Sequence, residues 1–282
     1  MYSSSLILEG GGLRGIYTSG VLDFFMDQNI DFSCVVGSSA GACNGCRYVC
    51  HDRGAMHKID TEYVFDKRYK GLKYMLTGHG YVNMDFLFDT IPEELYPFPW
   101  EEYFLNPCKF YSTVTNMITG NCEYLEKGDY KNCDPVRASS SLPIVAKKVT
   151  IGNNHYMDGG IANPIPYQKG FAENNNCVIV LTRPRGYQKK KDKSIPLVKK
   201  VYKNYPGLIK ALEQRHVVYN KQLREIEDMV DNGTAFVIQP SKTIHIGRLS
   251  AKKEDLEAQY QLGYNDAKAV HQQLIAFLEE HK

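Results

Sequence analysis

The chain has 282 residues, of which 43% are hydrophobic and 23% are charged, as in an ordinary globular protein. Its formal net charge of +2 gives no global attraction for nucleic acid, and no window approaches the roughly 18 apolar residues that a membrane-spanning helix needs. The first apolar run, at 6–8, is too short for the core of a secretion signal. We therefore expect a cytoplasmic protein with eight reduced cysteines, and leave open a peripheral contact with the inner membrane face.

A glycine-rich turn follows the first predicted strand. Residues 6–8 lead into the run 10–15, after which apolar residues recur at helical spacing. The glycines satisfy the G-x-G-x-x-G spacing of a dinucleotide site, but such a site also needs an acidic residue after the next strand, which ends instead in Val36 and Gly37. Uncovered backbone N–H groups at a helix N-terminus can also hold a developing oxyanion. The oxyanion interpretation therefore fits better.

The second predicted strand runs directly into a serine framed by glycines. The apolar run 34–36 is followed without a spacer by G-x-S-x-G and then by a small-residue helical pattern. At such an elbow the central residue has a strained backbone and projects from the sheet, so its neighbours must be small. The pattern predicts Ser39 as the projecting residue, with Gly37 and Gly41 on either side.

Three cysteines on the helix after the elbow raise the question of a metal or redox site. Cys43, Cys46 and Cys50 share one helical face. No second pair follows at the spacing of a zinc site. We interpret them as buried packing residues and expect no metal.

An aromatic segment interrupted by prolines occupies residues 81–105. Prolines forbid a long helix after Leu95, so we predict an irregular flap. The flap would wall an acyl-chain pocket, touch a lipid surface or pack as ordinary core, and the sequence does not decide among these.

Two predicted hairpins follow, the first formed by 109–116 and 121–125 and the second by 148–151 and 155–157. The second ends in Asp158, which two glycines follow. A carboxylate at a strand end next to glycines is free of side-chain crowding, so a hydroxyl from another loop can approach it. Asp158 is therefore the second candidate for chemistry.

Other polar residues are weaker candidates. The adjacent serines 139–141 lack a strained elbow, and we interpret them as the end of a helix. His155, three residues before Asp158, should point to the opposite face of its strand, so a Ser-His-Asp triad is not expected. The other histidines without a partner signature are His51, His57 and His79.

The last hundred residues predict a basic loop, two long helices and one strand. The loop 183–193 holds six basic residues and is either solvated or directed at anionic phospholipid headgroups. Helical spacing of apolar residues predicts helices over 208–230 and 252–278, with a strand at 235–238 between them.

The motifs EGGGLRG, GSSAG and DGG, together with ASSSLP and YMDGGIANPIP, resemble the signatures of the patatin-like phospholipase family. The resemblance is specific over about 6–181, and its one departure is Glu9, where an aspartate often opens the glycine loop. It implies a three-layer α/β fold in which helices flank a central, mostly parallel sheet, with a helical C-terminal extension. We accordingly predict a catalytic core over 1–183, which includes the flap, and a C-terminal portion over 184–282 packed on it.

The resemblance also implies a serine hydrolase with a Ser-Asp dyad and no catalytic histidine. Ser39 would be the nucleophile and Asp158 the base, through an acyl-serine intermediate and without a metal or cofactor. Gly11 and Gly12 are favoured as the N–H donors. The full set implied for the oxyanion hole is Gly10, Gly11, Gly12, Arg14 and Gly15. The supporting glycines are Gly37 and Gly41 at the elbow and Gly159 and Gly160 after the aspartate.

We therefore expect a lipid acyl-ester hydrolase of the phospholipase A or lysophospholipase kind, with a lipid or acyl-ester substrate and no nucleic-acid partner. A catalytically weak or inactive lipid-binding protein is the main alternative, and a nucleotide-binding protein that uses the glycine loop is a less favoured one. Headgroup, acyl-chain length, positional preference, acyltransferase activity and oligomeric state are not readable from the sequence.

Overall fold

A computed structural model describes residues 1–78, 80–128 and 132–281 of the chain. The strands are β1 (Tyr2–Leu8), β2 (Phe32–Ser38), β3 (Lys109–Asn116), β4 (Cys122–Glu126), β5 (Val149–Ile151), β6 (Asn154–Asp158), β7 (Cys177–Val180) and β8 (Ala235–Ile238). The α-helices are α1 (Ile16–Asp27), α2 (Ala40–Tyr48), α3 (Ala55–Thr61), α4 (Leu72–Leu76), α5 (Trp100–Leu105), α6 (Asp134–Ser139), α7 (Tyr167–Glu173), α8 (Ile195–Val201), α9 (Pro206–Asp231), α10 (Lys253–Ala269) and α11 (His271–Glu280). Further helical turns are the 3₁₀ segments Gly12–Gly15, Tyr63–Phe65 and Gly159–Ile161 and the π-helix Phe86–Leu95.

The eight strands of the described ranges form one sheet. Hydrogen-bonded neighbours follow the path β5-β6-β3-β2-β1-β7-β8, and β4 also pairs with β3. The five strands β3, β2, β1, β7 and β8 run parallel, whereas β4 and β6 run antiparallel to β3 and β5 antiparallel to β6. The mostly parallel sheet and both predicted hairpins are therefore confirmed.

Side chains of β1 alternate between two hydrophobic cores. Leu6 and Leu8 are buried in a core that contains residues of α1, α2, α10 and α11, whereas Ile7 is buried in a second core with residues of α7 and α9. Because successive strand residues point to opposite faces, helices cover both faces of the sheet. The predicted three-layer arrangement is confirmed, and each such buried aliphatic side chain contributes about 1.5–3 kcal/mol of transfer free energy.

The longest helix, α9, has both ends marked in the sequence. Pro206 occupies its first position, where the missing N–H leaves no hydrogen bond unmade, and Gly233 follows the last turn with a φ of 72°. Its apolar stripe includes Leu208, Leu212 and Tyr219, which are buried. The helix predicted over 208–230 is confirmed.

The predicted single helix over 252–278 is wrong. The chain leaves the helical region at Val270, with φ −104° and ψ 9°, and this residue separates α10 from α11. Leu262 before the break and Leu274 and Leu278 after it are nevertheless buried in the same core. The apolar spacing therefore continues across the break and carries no signal of it.

The aromatic segment is more regular than predicted. Residues 86–95 form a π-helix that contains Pro92, so the prediction of an irregular flap is wrong for them. Burial of Phe86 and Ile91, at 2% and 0% exposure, stabilises this helix despite the proline. Later in the segment Phe98 is buried, whereas Phe104 is 43% exposed. The segment is thus partly core and partly surface.

The C-terminal residues share the sheet and helix layers with the rest of the chain. β8 pairs in parallel with β7, and α10 packs on α1. Glycines allow that close packing, because a Cβ on Gly20 would lie 2.1 Å from the carbonyl oxygen of Tyr260. No helix in the described ranges is both long and apolar enough to cross a membrane.

Candidate active site

Ser39 lies at a strained turn between β2 and α2. Its φ of 55° and ψ of −123° fall in a region that residues with a side chain rarely adopt. A Cβ on Gly37 would lie 2.5 Å from the carbonyl oxygen of Gly41, and one on Gly41 would lie 2.2 Å from that of Leu8. Only glycine fits at these two positions, as the G-x-S-x-G spacing requires.

Strands β2 and β6 approach each other end to end along one edge of β3. β2 runs parallel to β3 and ends with Ser38 opposite Thr113, whereas β6 runs antiparallel and ends with Asp158 opposite Val114. β4 pairs with the same stretch of β3 and therefore takes the other edge. The turns that follow β2 and β6 thus meet, which brings Ser39 against Asp158.

The two side chains are joined by a short hydrogen bond. Ser39 Oγ donates to Asp158 Oδ2 at 2.6 Å, and the N–H of Gly160 donates to Asp158 Oδ1 at 2.8 Å. Asp158 is 1% exposed and Ser39 is 9% exposed. Burial raises the pKa of the Asp158 carboxyl, and the nearby Arg215 guanidinium opposes that rise. A carboxylate with a raised pKa is a stronger base towards the serine hydroxyl.

The backbone of Ser39 is held by the serines that follow α6. Ser139 Oγ accepts from the N–H of Ser39 at 2.9 Å, and Ser140 Oγ donates to its carbonyl oxygen at 3.5 Å. The interpretation of 139–141 as a helix end is confirmed, since α6 ends at Ser139. The sequence did not predict that these serines hold the elbow, because a contact between segments a hundred residues apart leaves no local pattern.

The glycine loop packs directly on the elbow. A Cβ on Gly10 would lie 3.0 Å from Ser39 Cβ, and one on Gly15 would lie 2.7 Å from Ala40 Cβ. Gly12 has a φ of +58°, and a Cβ there would lie 2.4 Å from the carbonyl oxygen of Arg248. The absence of side chains is therefore what lets this loop reach the serine.

Two N–H groups of the loop are uncommitted. Gly10 donates to the carbonyl oxygen of Pro164 at 3.4 Å, and Leu13 donates to that of Arg248 at 3.1 Å. Among the described residues, no acceptor bonds the N–H groups of 11–12. Free donors beside the serine hydroxyl are what an oxyanion hole needs.

Glu9 anchors the start of the loop. Its carboxylate is 2% exposed and accepts from the N–H and Oγ–H of Thr182, at 2.6 Å and 3.0 Å. Thr182 lies two residues beyond β7, so this contact ties the glycine loop to the neighbouring strand. The sequence signal was a charged residue directly after a buried strand, but its partner was not readable.

Arg215 of α9 was not singled out from the sequence. Its Nε donates to the carbonyl oxygen of Gly160 at 2.5 Å, so it braces the turn that carries Asp158. Burial lowers the pKa of its guanidinium, and Arg248 lowers it further. In the sequence it is one of several cations on a helix, with nothing to connect it to Gly160.

Three of the histidines considered from the sequence bond residues other than Ser39 and Asp158. His155 Nδ1 bonds Thr150 Oγ1 at 2.9 Å, on the strand pair β5–β6. His51 and His57 pair with Asp31 and Glu257, at 2.8 Å and 2.6 Å. His79 lies outside the described residues.

The three cysteines of α2 and its C-terminus are free thiols. Cys46 Sγ donates to the carbonyl oxygen of Cys43, and Cys50 Sγ donates to that of Cys46. The thiols of Cys46 and Cys50 therefore bond the helix backbone, as packing residues do, whereas Cys43 Sγ lies 3.2 Å from Ser140 Oγ. Over the described part of the chain, no group of three or more His, Cys, Asp or Glu side chains is arranged to hold a metal ion.

Two cavities adjoin the site. The apolar cavity, of about 110 Å³, lies against α2 and the aromatic segment. Its apolar lining includes Cys43, Val64, Leu87, Phe88, Pro92 and Phe98. The basic pocket, of about 440 Å³, lies against the glycine loop. Its lining includes Arg14, Arg183, Lys189, Arg215, His216 and Arg248.

Comparisons with known proteins cover nearly the whole chain. An uncharacterized protein of Escherichia coli, YjjU, is 25% identical over 278 residues, which are 92% of this chain and 74% of that protein. Lysophospholipase nte1 of Aspergillus terreus is 28% identical over 60% of this chain but only 11% of its own length. An uncharacterized NTE family protein of Mycobacterium tuberculosis is 26% identical over 74% of this chain and 35% of its own length.

Among solved structures, VipD from Legionella pneumophila covers 99% of this chain and 67% of that chain, with a TM-score of 0.46 and 12% identity. A domain of unknown function (DUF6363) matches residues 205–279. The family model for patatin-like phospholipase matches residues 6–169, which are more than half of the chain and include the glycine loop, the elbow and Asp158. This chain therefore belongs to the patatin-like phospholipase family.

Proposed function

We propose that this protein hydrolyses acyl esters of lipids through a dyad of Ser39 and Asp158. The observation that carries the proposal is the 2.6 Å hydrogen bond from Ser39 Oγ to Asp158 Oδ2 at a strained, buried elbow. Membership of the patatin-like phospholipase family supports lipid hydrolysis in general, and one relative is named a lysophospholipase. The serine mechanism and the identity of the substrate go beyond that support and are our proposal.

In the first step Ser39 Oγ attacks the ester carbonyl carbon while Asp158 takes its proton. An ordinary aspartate, with a pKa near 3.9, is a weak base for a hydroxyl. Burial of Asp158 raises that pKa, and the N–H of Gly160 holds Oδ1 so that Oδ2 faces the serine. The alcohol leaves with the proton from Asp158, and the acyl group stays on Ser39.

In the second step Asp158 takes a proton from water, which attacks the acyl-Ser39 carbonyl, and it then returns that proton to Ser39 Oγ as the fatty acid leaves. Both steps pass through a tetrahedral oxyanion. The uncommitted N–H groups of 11–12 are our candidates to bind it, and one good donor lowers each barrier by about 3–4 kcal/mol. Gly10 and Gly15 act by packing, and Arg14 lines the adjoining pocket.

We assign the acyl chain to the apolar cavity. Cys43 in its lining lies 3.2 Å, Sγ to Oγ, from Ser140, which bonds the carbonyl oxygen of Ser39, so the cavity adjoins the nucleophile. Its volume of about 110 Å³ is smaller than the ~150 Å³ that encloses one benzene ring. A long acyl chain therefore requires the segment around Phe88 to move outward.

Exposed apolar residues support a peripheral contact with a lipid surface. Helix α4 buries none of its residues, and Leu72, Met75 and Leu76 are 71%, 43% and 89% exposed. Lys73 on the same helix would attract anionic headgroups. The inner membrane face and a cytoplasmic location stay predictions.

The proposal is tested by labelling with a fluorophosphonate probe and by hydrolysis of p-nitrophenyl esters. Wild type should be labelled and active, and Ser39→Ala should lose both properties. Ser33→Ala, on the strand β2 that leads into the elbow, is the matched control and should retain both. Turnover in Ser39→Ala would sink the assignment of the nucleophile, and an unlabelled, folded wild type that still binds lipid would favour the inactive lipid-binding alternative.

A further inference from the structure

The basic pocket concentrates charge that the chain as a whole lacks. The chain has 34 basic and 32 acidic residues, yet the pocket lining contains seven cationic side chains and the single carboxylate of Asp192. The cationic side chains are Arg14, Arg183, Lys189, Lys190, Lys191, Arg215 and Arg248. Such an enclosed excess of cations selects an anionic ligand.

Segments far apart in the chain build this pocket next to the dyad. Arg14 belongs to the glycine loop, Arg183 to the loop after β7, and Arg215 to α9. Arg215 bonds the carbonyl oxygen of Gly160, whose N–H bonds Asp158. A ligand in the pocket would therefore be separated from the reacting ester by about one layer of side chains.

The cations of the pocket outnumber the carboxylates that act on them, which are Asp192, Glu9 and Asp158. Arg14 Nε is buried and has no hydrogen-bond partner among the described residues. The carboxylate of Asp192 lies 3.8 Å from Arg248 Nη1 and accepts the N–H and hydroxyl of Ser194. Burial, followed by the charge of Arg215, lowers the pKa of Lys189 to about 7, and burial, followed by the charge of Arg183, lowers the pKa of Arg14 to about 10. A bound anion would relieve this repulsion.

The aromatic rings at the pocket do not offer a site for a ligand ammonium group. Arg183 lies over the Tyr187 ring, 4.4 Å from its centroid, and Lys189 lies over the Tyr219 ring at 4.2 Å. Free aromatic faces are what binds a quaternary ammonium in proteins, and here protein cations occupy them. Phosphate oxygens, in contrast, match the several guanidinium and ammonium donors.

We propose that the basic pocket binds the phosphate of the lipid headgroup and favours headgroups that carry phosphate without an ammonium group. The inference rests on the proposed hydrolase function. A phosphomonoester brings the negative charge that the pocket lacks, whereas a choline or ethanolamine headgroup brings a further cation into it. A free phosphate ion has the same binding chemistry, so the test must separate the two sources.

The first arm compares substrates with one acyl chain in one detergent micelle: lysophosphatidic acid, lysophosphatidylcholine and monoacylglycerol. Wild type should hydrolyse lysophosphatidic acid with the highest kcat/KM. In Arg183→Gln/Arg248→Gln the ratio of kcat/KM for lysophosphatidic acid to that for monoacylglycerol should fall about tenfold or more, since a hydrogen bond to a charged group is lost at each position. Arg185→Gln is the matched control, because Arg185 lies in the same exposed loop but outside the pocket lining, and its ratio should stay at the wild-type value.

The second arm measures binding without turnover, by calorimetric titration of inorganic phosphate into Ser39→Ala with and without the pocket substitutions. Loss of phosphate binding together with the fall in substrate ratio supports the headgroup assignment. Loss of phosphate binding with an unchanged ratio identifies a site for a soluble anion and overturns it, as does equal hydrolysis of all three lipids by wild type. Failure of wild type to hydrolyse any ester instead overturns the proposed function itself.

Discussion

The apolar cavity and the basic pocket adjoin the same dyad but are built from different parts of the chain. The apolar cavity is lined by residues between 43 and 136, all within the family match, and Arg47 in its lining is paired with Asp52. Apart from Arg14, the basic pocket is lined by residues between 183 and 248, beyond that match. On the proposed function, the family core receives the acyl chain, while later residues select the headgroup.

The contrast also shows how differently the two cavities treat an uncompensated charge. Asp60 in the apolar cavity has no cationic partner among the described residues, and burial raises its pKa to about 7. It can therefore become neutral by binding a proton. The arginines of the basic pocket cannot lose their charge near neutral pH, so a ligand anion is the remaining way to compensate them.

The largest expected effect is at the dyad that both cavities share. Asp158→Asn should lower kcat by about 10⁴-fold for every ester, whatever its chain or headgroup, because the base is lost while the shape is kept. Steady-state kinetics with a thermal-unfolding check would measure this. Asp228→Asn, on an exposed carboxylate of α9, should leave kcat unchanged. Loss of activity towards only one class of ester in Asp158→Asn would contradict a dyad shared by both cavities.

Asp60→Asn tests the neutral state of the apolar cavity. A raised folded-state pKa means that the native state holds a proton which the unfolded state has released, so the free energy of unfolding falls as pH rises from about 4 to about 7. At about 1.4 kcal/mol per pKa unit, the loss is at most about 4 kcal/mol, and Asp60→Asn should remove it. Urea unfolding across this pH range would measure the difference, with exposed Asp231→Asn as the control that keeps the wild-type slope.

Gly12→Ala tests whether the glycine loop must lie against the basic pocket. The new Cβ would lie 2.4 Å from the carbonyl oxygen of Arg248 at a φ of +58°, so the loop must shift and kcat should fall about 100-fold. Gly152→Ala is a matched control, with the same φ of +58° but nothing within 4 Å. It should cost only about 1–2 kcal/mol of backbone strain and leave kcat unchanged. Equal kinetics in the two variants would argue against the oxyanion role of the loop.

Phe88→Ala is expected to have the smallest effect and concerns the acyl side alone. Removing this ring enlarges the apolar cavity, so the ratio of kcat/KM for dodecanoyl to butanoyl p-nitrophenyl esters should rise about tenfold. Phe104→Ala, in the same aromatic segment but 43% exposed and outside the cavity lining, should keep the wild-type ratio. A change in headgroup preference instead would break the separation between the two cavities.

Local motifs were readable because their geometry is local. Gly37 and Gly41 frame Ser39 within five residues, and the backbone of a strand–turn–helix elbow decides which residue is strained. The unbroken apolar run of Leu6, Ile7 and Leu8 likewise indicates a strand that is buried on both faces of a sheet. Their roles in catalysis stay predictions, as does the division of the chain at about residue 183.

The sequence by itself determined most strands of the sheet, the helices α1, α2 and α9, and the serine and aspartate that we propose to react. Only the tertiary structure decided what surrounds them. Arg215 braces Gly160 across 55 residues, and Glu9 bonds Thr182 across 173. The charge of the basic loop is local and can be read from its sequence. Whether the loop is solvated or lines a pocket depends instead on where α9 and the chain near Arg248 pack.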